Sequence, residues 1–469
     1  MEVSSEAPKP SLWASIGEAI RGSEQDYTQG DLGRSILLLA IPMVLEMVME
    51  SLFAVVDAFF VSSLGTSAIA AVALTESLLT IIYGVAVGLS MATTAMVARR
   101  IGERDPEGAS VAAVQAILLG IVFSVGTAAL GVIFAPELLR LMGGDAAVVK
   151  TGQSFTRMLF GGSVTIFLLF LNNAIFRGAG DAAIAMRALW IANIINIILN
   201  PCLILGLGPF PQLGLLGSAV GTTIGRGCGV LFQFWVMFGG MSRISVSARQ
   251  LRVNLEVLLR LLRVSFTGIL QFLVSSASWI GLVRVISGFG SSALAGYMIA
   301  IRVIIFSILP AWGLCNAAAT LVGQNLGAKN PDRAEQSVYR AGFYNMIFLG
   351  TLAVGFLVLA GPILRLFTAE PEVIAHGANC LRYISYGYIF YAWGMVIVQA
   401  FNGAGDTWTP TIINFACQWV FQIPLAWFLA FPAGMEATGV FLAITIAESS
   451  LALVGLWLFR RGRWKGQKI

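Results

Sequence analysis

Charge is scarce in this chain. Only 11% of its 469 residues are charged and 57% are apolar, with a mean hydropathy of +0.84, whereas a soluble domain carries roughly 25% charged residues. A water-soluble globule is excluded. Histidine is nearly absent: the single one, His376, is read as lying in a short loop beside Pro371 and Glu372, so metalloenzyme chemistry built on paired histidines, as in HExxH, has no ligands. The five cysteines, Cys202, Cys228, Cys315, Cys380 and Cys417, fall in or beside apolar runs without CxxC or metal spacing, which reads as buried free thiols. No separate polar domain is present, and the glycine-rich stretches lack the preceding strand and following Lys-Ser/Thr of a nucleotide loop. Neither an enzyme nor a resident cofactor is expected.

What the chain has in abundance is apolar length. A membrane span needs about 20 such residues, and windows of that length recur near 35–60, 66–92, 110–135, 152–176, 184–206, 214–240, 260–286, 293–322, 341–367, 380–402, 409–431 and 437–459. These predict an all-α polytopic membrane protein of twelve transmembrane helices. Residues 1–34 form a polar leader, within which Leu12, Trp13, Ile16 and Ile20 share one helical face suited to the membrane surface. With twelve spans, both ends share a side, and that side, Arg177 included, holds all 29 Lys and Arg but eight. Six lie opposite (Arg140, Lys150, Arg157, Arg284, Arg365, Arg382), and Arg226 and Arg302 fall inside spans. Cytoplasmic connections are enriched in basic residues, so the expectation is a plasma (inner) membrane protein with both termini cytoplasmic. The net charge of +5 then reflects topology and contact with anionic lipid, not nucleic acid.

The chain is written twice. FRGAGD at 176–181 returns as FNGAGD at 401–406, and the same offset of 225 pairs Gly65 with Gly290, Gly102 with Gly327, Pro106 with Pro331, Arg140 with Arg365 and Arg157 with Arg382. An offset held this long implies two copies of one six-span unit: a first lobe at 35–240, a basic linker at 241–259, a second lobe at 260–459, and a basic tail at 460–469. Six is even, so the copies enter the membrane in the same direction. Parallel repeats related by a pseudo-two-fold axis along the membrane normal are a transporter architecture, with alternating access around a site between the halves.

Helix 1 carries three acids in MVLEMVMESLFAVVDAFF. At roughly 100° per residue, Glu46, Glu50 and Asp57 fall on one narrow stripe, which would be costly against lipid and therefore faces the interior or a watery cavity. They either pair with Arg226 and Arg302 as structural salt bridges or leave an acid unpaired for a cation. At the 225 offset they become Gln271, Ser275 and Leu282, and this asymmetry favours a cation site. Asn196 and Asn200 in NIILNP share a face, Pro201 frees a nearby carbonyl, and Thr222 and Thr223 follow on helix 6. Oxygen groups of this kind suit a hard cation or a proton relay. Glu76 and Glu448 are read as lying near helix ends.

With IPMVLEMVMESLFAVVDAFFVSSLG, VARRIGERDP, FRGAGD, NIILNP followed by GSAVGTT, AIRV, AAATLVGQNLGAKNPDRA and FNGAGDTWTP, the chain resembles the multidrug and toxic compound extrusion (MATE) family over residues 34–459. That resemblance implies two six-helix lobes in a V and export of amphipathic, often cationic, compounds driven by protons or sodium ions. It implies that Asp57 is the family's helix-1 acid, that Asn196 is the Asn of its helix-5 NxxxD motif, and that Thr222 belongs to the same cation site. Asn200 departs from the pattern, since related members carry Asp there; Glu46 and Glu50 are expected to compensate. Some members place acids in the second lobe, where this chain offers Gln271.

The substrate cavity is expected to use Asn172 and Asn173, Gln271, Phe272 and Trp279, and Tyr391 and Trp393, aromatics and amides that suit flat organic cations. The partners expected are a small amphipathic substrate, a proton or sodium ion, and membrane lipid, with the protein a monomer. Metal enters only as transported sodium. Three like charges on one stripe resist joint ionisation, which favours proton over sodium coupling. The rival reading is a flippase for a polyprenyl-linked or lipid precursor, whose pyrophosphate calls for arginines in the cavity.

Overall fold

The structure is a computed structural model and describes residues 12–469 apart from Glu24, Ser63 and Lys468. Residues 1–11 of the leader, with Lys9, and Lys468 of the tail lie outside the described residues, as does the side chain of Leu12. In hydrocarbon every backbone polar group must be satisfied within its own segment, and the apolar runs accordingly become helix. A short helix α1 (Leu12–Arg21) precedes α2 (Leu32–Ser62), α3 (Thr66–Gly102), α4 (Pro106–Leu141), α5 (Ala146–Gly161), α6 (Ser163–Ala179), α7 (Ala182–Leu205) and α8 (Leu215–Phe238). The second lobe contains α9 (Leu255–Ile286), α10 (Ser291–Gly327), α11 (Pro331–Arg365), α12 (Pro371–Tyr386), α13 (Tyr388–Ala404), α14 (Trp408–Asn414), α15 (Ile423–Ala430) and α16 (Glu436–Arg460). A π-helical stretch, Phe415–Gln422, joins α14 to α15 as one span.

Among the described residues ten helices and two bent pairs make twelve spans: α5 and α6 meet at 42°, α12 and α13 at 62°. Hydropathy does not foresee the breaks. Gly162 and Gly387 sit at them, 225 residues apart, and a Cβ on either would crowd Thr223 or Thr445 of the last helix of its lobe. His376 is corrected by the structure: it lies inside α12, because Pro371 at the first helical position opens a helix there. All five cysteines are free, with Cys315, Cys380 and Cys417 buried and Cys202 and Cys228 half-buried.

The duplication extends to backbone angles. Gly65 and Gly290 have φ of 93° and 95°, Arg104 and Lys329 of 59° and 57°, and Gly180 and Gly405 of 90° and 85°. Asp105 and Asn330 cap α4 and α11 by accepting from the backbone N–H of Gly108 and Arg333. Contacts between the lobes are reciprocal in the same register. Gly88 abuts Ile269 while Gly313 abuts Val44, and Gly102 lies under the Gln324 carbonyl while Gly327 lies under that of Arg99. Contact of i with j and of their equivalents in exchange is the mark of a two-fold axis, here passing between α3 and α10.

These contacts lie in the half of the bundle nearer the chain ends. At the far ends of α3 and α10 a Cβ on Gly65 or Gly290 would meet open space. Ten and eleven residues in from those ends, Glu76 on α3 and Arg302 on α10, both exposed, occupy near-equivalent positions on opposite lobes within electrostatic range, with no ion pair between them among the described residues.

Both chain ends tie the lobes together on the terminal face. The Arg333 guanidinium of α11 donates to the carbonyls of Tyr27, Gln29 and Gly30, and Arg243 donates to those of Ser23 and Gln25. Tyr27 is buried with its hydroxyl on the Gly180 carbonyl, and burial pushes its phenol up to about 12, which keeps it a neutral donor. At the other end Trp464 stacks on Phe459, Lys465 bridges Glu335, and Arg99 of lobe 1 holds the Gln467 carbonyl. Helix α1 docks through Ser15 and Ala19 and leaves Trp13 and Ile20 exposed.

Candidate functional site

The acid stripe of α2 faces inward, and each acid meets a different partner. Glu46 is fully buried and accepts from Arg177 Nη1 at 3.1 Å and Asn173 Nδ2 at 3.0 Å, while Gln233 holds the Asn173 carbonyl at 2.6 Å. Its cation is therefore neither Arg226 nor Arg302. Arg177, which the sequence places in a loop, is in the last turn of α6 and turns its guanidinium back into lobe 1. A buried acid beside such a partner is held as an ion pair.

Among the described residues Glu50 and Asp57 form no ion pair of this kind. Glu50 accepts from Asn193 Nδ2 at 3.3 Å. Asp57 accepts from Asn200 Nδ2 at 2.7 Å and Ser218 Oγ at 2.9 Å, both on the same oxygen, Oδ1. Close helix approach makes this geometry, since a Cβ on Gly221 would stand 2.5 Å from Asn200 Oδ1. Asn196 Nδ2 donates to Thr222 Oγ1 at 2.8 Å one turn along the same seam. The carbonyl oxygens of Asn196 and Asn200 are buried without a hydrogen-bond partner. Arg226 donates to the Tyr83 hydroxyl at 3.0 Å and is within electrostatic range of Glu50 and Asp57.

Asp57, Asn196, Asn200 and Thr222 thus converge on one seam between α2, α7 and α8, with Glu50 further along it and Glu46 outside it. A carboxylate on a seam that also carries amide and hydroxyl oxygens suits a proton or a hard monovalent ion. Ser218, Asn193 and Arg177 were missed in the sequence. Ser218 is one turn before Thr222, and Asn193 continues the 193–196–200 stripe, so helical spacing from the recognised residues leads to both. Arg177 carried no such signal.

The expected cavity residues have several kinds of neighbour. Asn173 belongs to the Glu46 network, and Asn172 beside it is buried with neither amide atom bonded. Phe272 packs on Gly84 across the lobe boundary, with Gln271 buried next to it. Trp279 and Tyr391 pack against the core of lobe 2. Trp393 covers Gly342 and points its indole N–H at Met346 Sδ, 3.4 Å away.

A family model described as MatE matches residues 42–202 and 266–428, once in each lobe. "Probable multidrug resistance protein YoeA" of Bacillus subtilis is 27% identical over 456 residues, covering 95% of this chain and 97% of its own. "Probable multidrug resistance protein NorM" of Thermotoga maritima is 25% identical over 447 residues, covering 94% of each. A solved structure described as an outward-facing conformation of a multidrug resistance MATE family transporter of the MOP superfamily superposes with a TM-score of 0.88 at 27% identity, over 94% of this chain and 98% of its own. Twelve spans in two reciprocal lobes, each matched by the same family model, place this chain in the MATE family of membrane transporters.

Proposed function

We propose that the protein is a cation-coupled antiporter of the cell membrane that exports amphipathic, cationic compounds by alternating access, with both chain ends in the cytoplasm. The carrying observation is the contrast between two acids of one helix. Glu46 is cancelled by Arg177, whereas Asp57 is held by two neutral donors on one oxygen. An acid so held keeps Oδ2 for an exchangeable cation. Asn200 places a neutral amide beside Asp57, so the seam lacks the second fixed negative charge that a tightly held sodium ion favours, which supports a proton over sodium. In this reading a proton arriving from the far face neutralises Asp57, and its release toward the cytoplasm restores a carboxylate that draws in the next cation. A monomer surrounded by lipid suffices. A lipid-precursor flippase fares worse, because the lobe-1 arginines turned into the bundle are already engaged, Arg226 by Tyr83 and Arg177 by Glu46.

The test is transport by the purified protein in sodium-free proteoliposomes. An imposed pH gradient should drive ethidium efflux, and Asp57→Asn should abolish it with membrane insertion unchanged. Efflux indifferent to pH but restored by a sodium gradient overturns proton coupling; a pumping Asp57→Asn overturns the assignment of the acid.

A further inference from the structure

The second lobe contains a carboxylate that the α2 stripe does not account for. Two glycine contacts fix the correspondence of the last helices. Gly162 meets Thr223 as Gly387 meets Thr445, and Gly217 meets the Leu203 carbonyl as Gly439 meets that of Leu429. Helix α16 is thus displaced from α8 by 222 residues, and Glu448 occupies the place of Arg226. One position carries opposite charge in the two lobes. The sequence put Glu448 near a helix end, but it sits at the middle of α16, the depth at which transporters of this build hold their substrates.

The preceding span explains what surrounds it. The offset is 225 at Asp406 and 226 at Leu429, so lobe 2 has one extra residue between them, and the π-helical stretch Phe415–Gln422 absorbs it. Such insertions are frequent at functional sites. This one presents Gln418, whose Nε2 donates to Glu448 Oε1 at 3.3 Å, and, one turn earlier, Asn414, which donates to Ser275 of α9 at 3.0 Å. Both amide carbonyl oxygens are buried without a donor, with Gln418 8% and Asn414 6% exposed. The Tyr391 hydroxyl lies within electrostatic range of Glu448. Among the described residues no basic side chain pairs with Glu448, and Gln418 is its hydrogen-bond partner. An uncancelled carboxylate, two amide oxygens lacking donors and a phenol ring call for a ligand with positive charge, N–H donors and an apolar body.

We propose that Glu448, with Gln418 of the π-helical stretch and Asn414 at the end of α14, binds the protonated amine of the exported compound in lobe 2, apart from the ion-coupling seam of lobe 1. This deepens the antiport reading and rests on it for the identity of the ligand as cargo. The test uses full-length purified protein and two fluorescent probes that differ by one group: monodansylcadaverine, which ends in an ammonium, and N-pentyl dansylamide, which has the same carbon chain and is neutral. Glu448→Gln should weaken binding of the ammonium probe about tenfold and leave the neutral probe within about twofold, while Glu448→Asp keeps most of the preference. Equal binding by wild type and Glu448→Gln overturns the proposal, as does parallel loss of both probes, which marks a structural role. Loss of ²²Na⁺ binding with the ammonium probe unaffected overturns it in favour of an ion site. A wild-type protein that discriminates the probes yet fails to move the ammonium under a pH gradient sinks the antiport reading and leaves this site standing.

Discussion

Among single residues, Glu46 teaches the most about the limits of a stripe. Its alignment with Glu50 and Asp57 is plain from spacing, but spacing cannot say which acid has a cation, because Arg177 is 131 residues away and belongs to a loop motif by its neighbours. The 225 offset gives an independent view: Glu46 and Arg177 correspond to Gln271 and Asn402, so lobe 2 fills the same two places with a neutral pair. Removing one partner of a buried pair leaves a stranded charge, at a cost of about 3–5 kcal/mol, whereas replacing both is often neutral. Glu46→Gln alone should therefore lower the thermal midpoint of the solubilised protein sharply, and Glu46→Gln with Arg177→Asn should recover it. A stable Glu46→Gln that no longer transports would instead place Glu46 in the coupling machinery. The seam around Asp57 was readable because its members recur at three- and four-residue intervals on two helices. Its second donor, Ser218, stands in the same GSAVGTT run as Thr222 but is not singled out by spacing alone.

Helices are where sequence and structure agree most closely and where small insertions hide. The spans follow from apolar length, and their caps from Asp105-Pro106 and Asn330-Pro331. Lys329 precedes the second cap in the left-handed region, at φ 57°, a conformation that costs a side-chain-bearing residue about 1–2 kcal/mol and glycine little. Lys329→Gly should raise stability by about 1 kcal/mol, visible as a higher thermal midpoint, while the same change at Arg104 gains less because Arg104 also reaches Asp26 at 3.8 Å. Breaks are less legible. Gly162 and Gly387 sit in runs apolar enough for hydropathy to pass through them, and their reason, the approach of Thr223 and Thr445, comes from another helix. The π-helical turn is harder still, since it changes a repeat offset by one in a stretch with no shared motif on its far side.

At the scale of the molecule, the even number of spans per copy already dictated parallel lobes, and the reciprocal glycine contacts bear out the two-fold relation. The straps could not be foreseen: residues 22–30, between α1 and α2, are polar and aperiodic, and their placement comes from arginines such as Arg243 and Arg333 far along the chain. The two faces of the bundle are consequently held by different physics. On the terminal face backbone meets backbone over glycine and guanidinium groups cap carbonyls, interactions that ions in solution do little to weaken, and ion pairs such as Lys465 with Glu335 only add to them. At the far mouth the opposed groups are Glu76 and Arg302, exposed and on either side of the pseudo-axis. Any rocking that narrows that mouth draws these two toward each other first, and an exposed pair of this kind contributes up to about 1 kcal/mol, a two- to fivefold population change. Spin labels at the far ends of α3 and α10 should therefore report a narrower mouth in low salt than in high. Glu76→Gln should remove the difference, and the exchange Glu76→Arg with Arg302→Glu should restore it; distances that ignore both salt and charge would exclude the pair from the motion. A transporter built this way has an adjustable rest position, with one face set by the fold and the other by the ionic strength of the medium it looks out on.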